Sequence, residues 1–529
     1  MSDPMTASFV RRVERLNEIG VALSSQRDHV RLVEQILLGA KDITKADGGT
    51  LYSVTESGEL RFEILRNDTL KLAMGGTSGT PIPFTPLKLR NPDGTPNTGS
   101  VVAQAVLQRK TINIPDAYAV QGFDFSGTRG FDARTGYHST SFLTVPMLNH
   151  ENEVTGVLQL INARDTAGRT VPFSEADQRF AESLASQAAI AITNQQLIHG
   201  MKELFESFVK LIATAIDEKS PYTGGHCRRV PELTMMLAEA AHRIDTGPLA
   251  MFRMSDADRY ELHIAGWLHD CGKVTTPEWV MDKATKLQTI HDRIGEVATR
   301  FVCCQRELEL RQAKGELDAA TVTVEGQRLA DDLAFVRRHN TGGEFMKPED
   351  QERVRMIAKR TWTDVEGQAR PVLSEEEVKN LLVSKGTLTD DERKIINHHI
   401  VATIRMLESL PYPKHLRRVP EFAGGHHERM DGKGYPKGLK RDEMSVQARV
   451  MAIADVFEAL TAGDRPYKKA FTLSQALAIL GKMRLDNHID PDLFDVFIRE
   501  RVWLDYAKRF LPSSQIDEVD MAKVPGFSG

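Results

Sequence analysis

Apolar residues recur at helical spacing through residues 8–45: Phe9, Val13, Leu16, Ile19 and Leu23, then Val30, Val33, Ile36 and Leu37. Spacings of three and four residues place one apolar stripe on a helix, and the break near residues 24–28 makes the stretch a helical hairpin. Strand-like runs follow at 49–54 and 60–65, then a Pro/Gly/Thr-rich stretch at about 75–98 that reads as loop. A helix "SVVAQAVLQRK" and a short strand "TINI" come next. The strands "STSFLTVPML" and "VTGVLQLIN" pair around the turn-like "NHENE", and helical patterning resumes at Ser174.

From about Asp177 the helical pattern runs to about Asp217, broken only by Gly200. Ile190, Leu197, Met201, Leu204, Phe208, Leu211 and Ala215 are spaced by sevens, threes and fours, with Asn194 on the same line. That spacing is a coiled-coil seam, and a polar residue on it would fix register. A parallel homodimer is the first expectation, and packing onto the chain's own second half is the alternative. Beyond it the chain is dominated by helical patterns.

Composition changes this picture little. A chain of 529 residues exceeds one hydrophobic core and suggests about three units. A hydrophobic fraction of 41% and a charged fraction of 27% are ordinary for globular chains. A formal charge of -5 gives no basic field for nucleic acid, so DNA is not an expected partner. No window has the ~18 consecutive apolar residues of a membrane span, and the start lacks a signal-peptide core, so a cytoplasmic location is expected. The four cysteines, Cys227, Cys271, Cys303 and Cys304, include no CxxC pair and read as free thiols.

The strings "TGYHSTSFLTVPMLNHENEVTGVLQLINA" and "FSEADQRFAESLASQAAIAITN" resemble the GAF family of small-molecule sensor domains. The resemblance implies an unknown small ligand, with a cyclic nucleotide as one candidate. Cyclic-nucleotide-binding members carry Asn-Lys, Phe and Asp-Glu. The matching positions are Asn162, Ala163, Phe173, Asp177 and Gln178, so the Lys and the Glu are missing.

The second half holds "TGGH" ending at His226, "LHDCGK" with His269 and Asp270, and "INHH" ending at His399. "GGHHERMDGKGYP", with His426 and His427, and "AIADVFEALTAGDRPYKKA", with Asp455, complete the set. A lone His is usually structural, but this set converges on one chemistry. A His-Asp pair at a helix end sets imidazole beside carboxylate, where one Asp can bridge two metal ions. Nitrogen and oxygen ligands without thiolate suit Fe, Mn, Mg or Zn. "HHERMD" is not the HExxH of a zincin, since Asp431 stands where its second His belongs, and "GKGYP" has Gly434 where a P-loop needs Ser or Thr.

Together these strings resemble the HD-GYP subgroup of HD phosphohydrolases over most of residues 217–510. The resemblance implies two divalent ions, Fe or Mn being the first choices. His226, His269, Asp270 and Asp455 would hold one ion, and Asp270, His399, His426 and His427 the other, with Asp270 bridging. Water activated between two such ions attacks a phosphodiester in line. Lys273 would grip the scissile phosphate or protonate the leaving oxygen. Arg465 and Lys468 match phosphate-contacting positions, and the loop with Gly434, Tyr435 and Pro436 would shape the guanine-side pocket.

Two departures matter. Some family members carry a Glu, four residues before the first metal His, that recruits a third metal. Tyr222 stands there, so a dinuclear site and linear pGpG as main product are expected. About 120 residues also separate "HDxGK" from the third His, and residues 287–385 read as a charged helical insertion, a solvated hairpin at the rim.

The expected architecture is multidomain. An α+β GAF domain (1–176, an antiparallel sheet with flanking helices) precedes a connecting coiled-coil helix (177–216). An all-α HD-GYP domain (217–515) with its helical insertion and a C-terminal tail (516–529) follow. The expected function is hydrolysis of cyclic di-GMP to pGpG, with slower onward cleavage to GMP, under control of the GAF domain. The alternatives are a hydrolase of mixed cyclic GMP-AMP dinucleotide, a catalytically silent effector, and an HD-type nucleotidase.

Overall fold

The computed structural model describes residues 4–55, 57–219, 225–343, 345–463 and 470–527, with side chains from Phe9 onward. It divides into two compact units, Met1–Leu204 and Phe205–Gly529.

In the first unit, helices α1 (Pro4–Ser25) and α2 (His29–Thr44) form the expected hairpin. The break is chemical: Asp28 caps α2 by accepting from the Arg31 N–H at 3.1 Å. Strands β1 (Ala46–Val54), β2 (Glu59–Asn67), β3 (Leu72–Gly75) and β4 (Leu87–Lys88) precede α3 (Val101–Gln108) and β5 (Ile112–Ile114). Then come α4 (Ser126–Thr135), β6 (Phe142–Leu148), β7 (Val154–Arg164) and β8 (Thr170–Val171). The sheet is antiparallel in the order β3-β2-β1-β7-β6-β5, with β4 on β2 and β8 on β7. Alternation along β1 sends Leu51 into a core with α1 and α2, and Tyr52 into a second core with Val102 and Val106 of α3. The sheet is thus covered on both faces.

The residues matching the cyclic-nucleotide motif have structural work. Asn162, at φ 57°, accepts from the N–H groups of Thr140 (2.8 Å) and Ser141 (3.2 Å). Phe173 is core, and Asp177 pairs with Arg12 at 2.6 Å while accepting from Ser174.

Helix α5 (Glu175–Lys219) is a single helix of 45 residues, about 65 Å long, that spans the boundary between the units. The predicted seam is one of its exposed faces: Ile190, Leu197, Met201, Leu204, Phe208 and Leu211 are all exposed. Within the first unit α5 buries Ala188 and Ile192, and within the second Val209, Ala213 and Ile216.

The second unit continues with α6 (His226–Arg243), α7 (Asp256–Leu268), a 3-10 turn Cys271–Thr275 and α8 (Glu278–Met281). Helices α9 (Ile294–Ala313), α10 (Ala319–Asn340) and α11 (Pro348–Ala358), the hairpin β9 (Thr361–Thr363) with β10 (Ala369–Pro371), and α12 (Glu375–Leu381) follow. The chain then forms α13 (Asp390–Glu408), α14 (Val419–Gly424), α15 (Val446–Thr461), α16 (Leu473–Leu485), α17 (Pro491–Arg499) and α18 (Val502–Phe510).

The insertion differs from a solvated hairpin. It has a core of its own, with Val297, Phe301, Leu329, Phe335, Val354 and Leu381 buried together, and the β-hairpin turns on Asp364 and on Gly367 at φ 79°. It is fastened at its base by buried lysines. Lys283 donates to Asn380 and to both oxygens of Glu392, and Lys286 to the carbonyls of Leu381 and Val383. Residues after 515, expected as a tail, pack down instead. Val524 is buried in the main core, and Asp517 accepts from Thr472 and Ser474.

Candidate dimetal centre

Five elements of the second unit bring the predicted residues together. Helix α6 opens on His226, behind Gly225 at φ 90°, whose lack of a side chain leaves the helix without a cap of its own. Helix α7 is fixed at its start by a Ser255–Asp258 capping box and at its end delivers His269 and Asp270 to the 3-10 turn that holds Lys273. That turn lies hard against α13. A Cβ on Gly272 would come within 2.0 Å of the His399 carbonyl, and the Gly272 N–H donates to Thr403 Oγ1 at 2.9 Å. Only glycine allows this approach, which sets Asp270 beside His399. His426 and His427 follow the end of α14, and Asp455 lies in α15.

Asp270 stands between two sets of imidazoles. Its Oδ2 is 3.2 Å from His226 Nε2 and 3.1 Å from His269 Nε2, and it pairs with the Lys273 ammonium. Its Oδ1 is 3.3 Å from His399 Nε2 and 4.0 Å from His426 Nε2. Asp455 is 3.3 Å from His226 Nε2, and His427 Nε2 is 3.1 Å from His399 Nε2. The ligand atoms of His226, His269, Asp270 and Asp455 lie within 4.8 Å of one another, as do those of Asp270, His399, His426 and His427.

The outer nitrogens explain the aim of the inner ones. Nδ1 of His269, His399 and His426 is bonded to the carbonyl three residues back, those of Gly266, Ile396 and Ala423. Each ring therefore turns Nε2 toward the centre. His226 differs, because its Nδ1 is bonded to the buried carboxylate of Glu458, which Arg229 also holds at 2.6 Å.

The electrostatics suit cations. Burial, then His426 beside it, holds His427 well below the ordinary imidazole value. Burial and His269 push His426 down to about 4. Burial opposes ionisation of Asp270, but Lys273, His269 and His226 outweigh it and keep the carboxyl well below its usual range. Asp455 is likewise lowered, by His226 against burial. Burial would also lower Lys273, but Asp270 and Asp455 raise it, so the ammonium persists. Among the described residues, His269 Nε2, His426 Nε2 and Asp270 Oδ1 are buried without a hydrogen-bond partner. Buried lone pairs that converge and stay unpaired fit divalent ions.

Beside this centre lies the loop after His427. The buried Glu428 accepts from the N–H groups of Lys437 (2.7 Å) and Leu439 (2.9 Å), closing the loop on itself. A Cβ on Gly434 would lie 2.4 Å from the Arg429 nitrogen, so the close approach needs glycine. Tyr435, joined to Pro436 by a cis bond, stacks on His427 with centroids 4.9 Å apart and planes 20° apart. Arg465 and Lys468, expected at the phosphate, and Tyr222, expected at the third-metal position, lie outside the described residues.

Sequence reading singled out neither Glu428 nor Glu458. Glu428 follows the His pair directly and was legible as part of that string. Glu458 is one turn after Asp455, but its partner His226 is 232 positions away, and no local pattern connects them.

Comparison with known proteins agrees with this division. Residues 28–192 match the GAF domain model and residues 376–493 the HD domain model. Residues of the chain are 40% identical over 118 residues to "3'3'-cGAMP-specific phosphodiesterase 3" of Vibrio cholerae serotype O1, covering 22% of this chain and 25% of that protein. A "probable cyclic di-GMP phosphodiesterase" of the same organism is 32% identical over 226 residues, 39% of this chain and 50% of that protein. A "cyclic di-GMP phosphodiesterase response regulator" of Xanthomonas campestris pv. campestris is 36% identical over 126 residues, 24% and 32%. The matches thus span between a quarter and a half of these relatives' own length. The chain carries a GAF domain followed by an HD domain.

Proposed function

We propose that this chain is a metal-dependent phosphodiesterase that opens cyclic di-GMP to linear pGpG, cleaves that product more slowly to GMP, and acts in the cytoplasm. One observation carries the reading: the two oxygens of Asp270 face two separate sets of imidazoles.

In this reading His226, His269, Asp270 and Asp455 hold one divalent ion and Asp270, His399, His426 and His427 the other, with Fe or Mn ahead of Mg and Zn. When bound, such ions lower the pKa of water and neutralise charge on a phosphodiester. Neutral His426 and His427 and ionised Asp270 and Asp455 are the protonation states that metal ligation needs. The Lys273 ammonium, three residues from Asp270 and paired with it, is the proton donor or phosphate clamp at the leaving oxygen. The loop through Gly434, Tyr435 and Pro436 forms the base-side wall, with the Tyr435 ring fixed against His427. Arg465 and Lys468 are assigned to the phosphates, and Tyr222 to a site of two metals rather than three.

The GAF domain takes an unidentified small ligand and acts on the HD domain through α5, whose exposed stripe from Ile190 to Leu211 pairs with a second copy. The names of the relatives supply a second substrate, the mixed cyclic GMP-AMP dinucleotide. Protein prepared without oxygen and loaded with Fe²⁺ or Mn²⁺ should be assayed on cyclic di-GMP, the mixed dinucleotide and mononucleotides side by side. Faster turnover of the mixed dinucleotide would move the substrate assignment, and cleavage of mononucleotides alone would overturn it.

A further inference from the structure

The last turn of α5 makes polar contacts that its packing does not require. Asp217 accepts from the backbone N–H of Gly225 at 3.1 Å and of Cys227 at 3.4 Å. A helix start leaves its first N–H groups unpaired and favours an anion, and Gly225 supplies no side chain to α6. Asp217 therefore caps, from another helix, the helix whose first residue is His226. Two residues on, Lys219 donates to the carbonyls of Lys273 (3.4 Å), Val274 (2.5 Å) and Thr276 (2.7 Å). These are the closing carbonyls of the turn that follows Asp270 and holds Lys273, where a cation is the matching partner. One charge holds the backbone on either side of His226, and the other holds the end of the turn that begins at Asp270.

We propose that Asp217 and Lys219 are positioning residues, through which the end of α5 sets the placement of His226 and of the Asp270–Lys273 turn. A change in α5 then reaches metal affinity and turnover through two named contacts. The inference rests on the dimetal phosphodiesterase reading and names how that site is regulated.

The test uses the full-length chain with Asp217→Ala, Asp217→Asn, Lys219→Met and Lys219→Arg, and checks the melting of each without metal. Mn²⁺ affinity is measured by titrating EDTA-treated protein, and kcat and KM on cyclic di-GMP. Loss of a partner behind a metal ligand costs about 10-fold in affinity or rate. Asp217→Ala is expected to weaken Mn²⁺ by that factor, and Asp217→Asn, which still caps, to restore it. Lys219→Met is expected to lower kcat about 10-fold with KM within about twofold, and Lys219→Arg to recover it. If Asp217→Ala does not fold, the Lys219 pair decides. Variants that bind Mn²⁺ and turn over like wild type, or that lose activity only with loss of folded protein, overturn the proposal. A wild-type chain that opens no cyclic dinucleotide while Asp217→Ala still loses Mn²⁺ affinity would sink the proposed function and leave the positioning role standing.

Discussion

Two buried charged clusters in the second unit end differently. At the base of the insertion, Lys283 is fully buried, and its ammonium donates to Asn380 and to both oxygens of Glu392. Glu392 also accepts from Thr389, so the cluster closes on itself. Around Asp270 the outer atoms are as well satisfied, yet His269 Nε2, His426 Nε2 and Asp270 Oδ1 converge without a hydrogen-bond partner among the described residues. An unpaired buried polar atom is costly, so a fold that retains several facing one point is built for something that arrives later. The difference separates a fastening from a site, although both are buried.

Replacing Asp270 with Ala should have the largest effect. It removes the only residue common to both ligand sets, so both equivalents of bound metal should disappear from elemental analysis. Hydrolysis should fall about a thousandfold or more, since the metal contribution is several kcal/mol of barrier. Retention of one full equivalent would show that the two sets do not share a ligand.

Lys283→Met tests the other cluster. It strands a buried carboxylate at Glu392, and breaking such a pair costs about 3 kcal/mol, read from denaturant midpoints. Its metal content should remain that of wild type. The comparison sharpens when metal is added back. Mn²⁺ at a hundredfold excess over its Kd should stabilise wild type and Lys283→Met alike by about 2.7 kcal/mol, and Asp270→Ala not at all.

The smallest effect is in pH. Burial opposes ionisation of Glu392, but Lys283 and Thr389 outweigh it and hold the carboxyl below its ordinary value. A lowered folded pKa means stability that is complete above the unfolded value near ~4.3 and lost as pH falls through the folded one. In Lys283→Met burial is opposed by Thr389 alone, so the folded value rises above that of wild type. The gap between variant and wild type should therefore shrink by about 1 kcal/mol between pH 7 and 4. A gap independent of pH would remove Glu392 from the explanation.

Much of this was legible in the sequence because the chemistry is concentrated in short strings. The pairs His269–Asp270 and His426–His427 announce themselves, and the spacing from Phe9 to Leu37 gives the first hairpin. What escaped depends on distance or weak pattern. Glu458, Asp217 and Lys219 are unremarkable charges on helices until the fold brings them to His226, Gly225 and Val274. The strand pair Thr361–Thr363 and Ala369–Pro371 is too short to show a period, and α4, "SGTRGFDART", has almost no apolar stripe. The core of the insertion was hidden by its surface, since Val297, Phe301 and Leu329 sit among runs of Arg and Glu. The missing Lys and Glu of the cyclic-nucleotide motif were visible, but not that Asp177 is engaged by Arg12.

The most direct test of the central claim is product analysis of cyclic di-GMP hydrolysis by metal-free wild type, wild type reconstituted anaerobically with Fe²⁺ or Mn²⁺, and Asp270→Ala treated the same way. The account predicts pGpG from the reconstituted wild type alone, at two metals per chain. Hydrolysis by the metal-free protein, or by Asp270→Ala at a comparable rate, would contradict it.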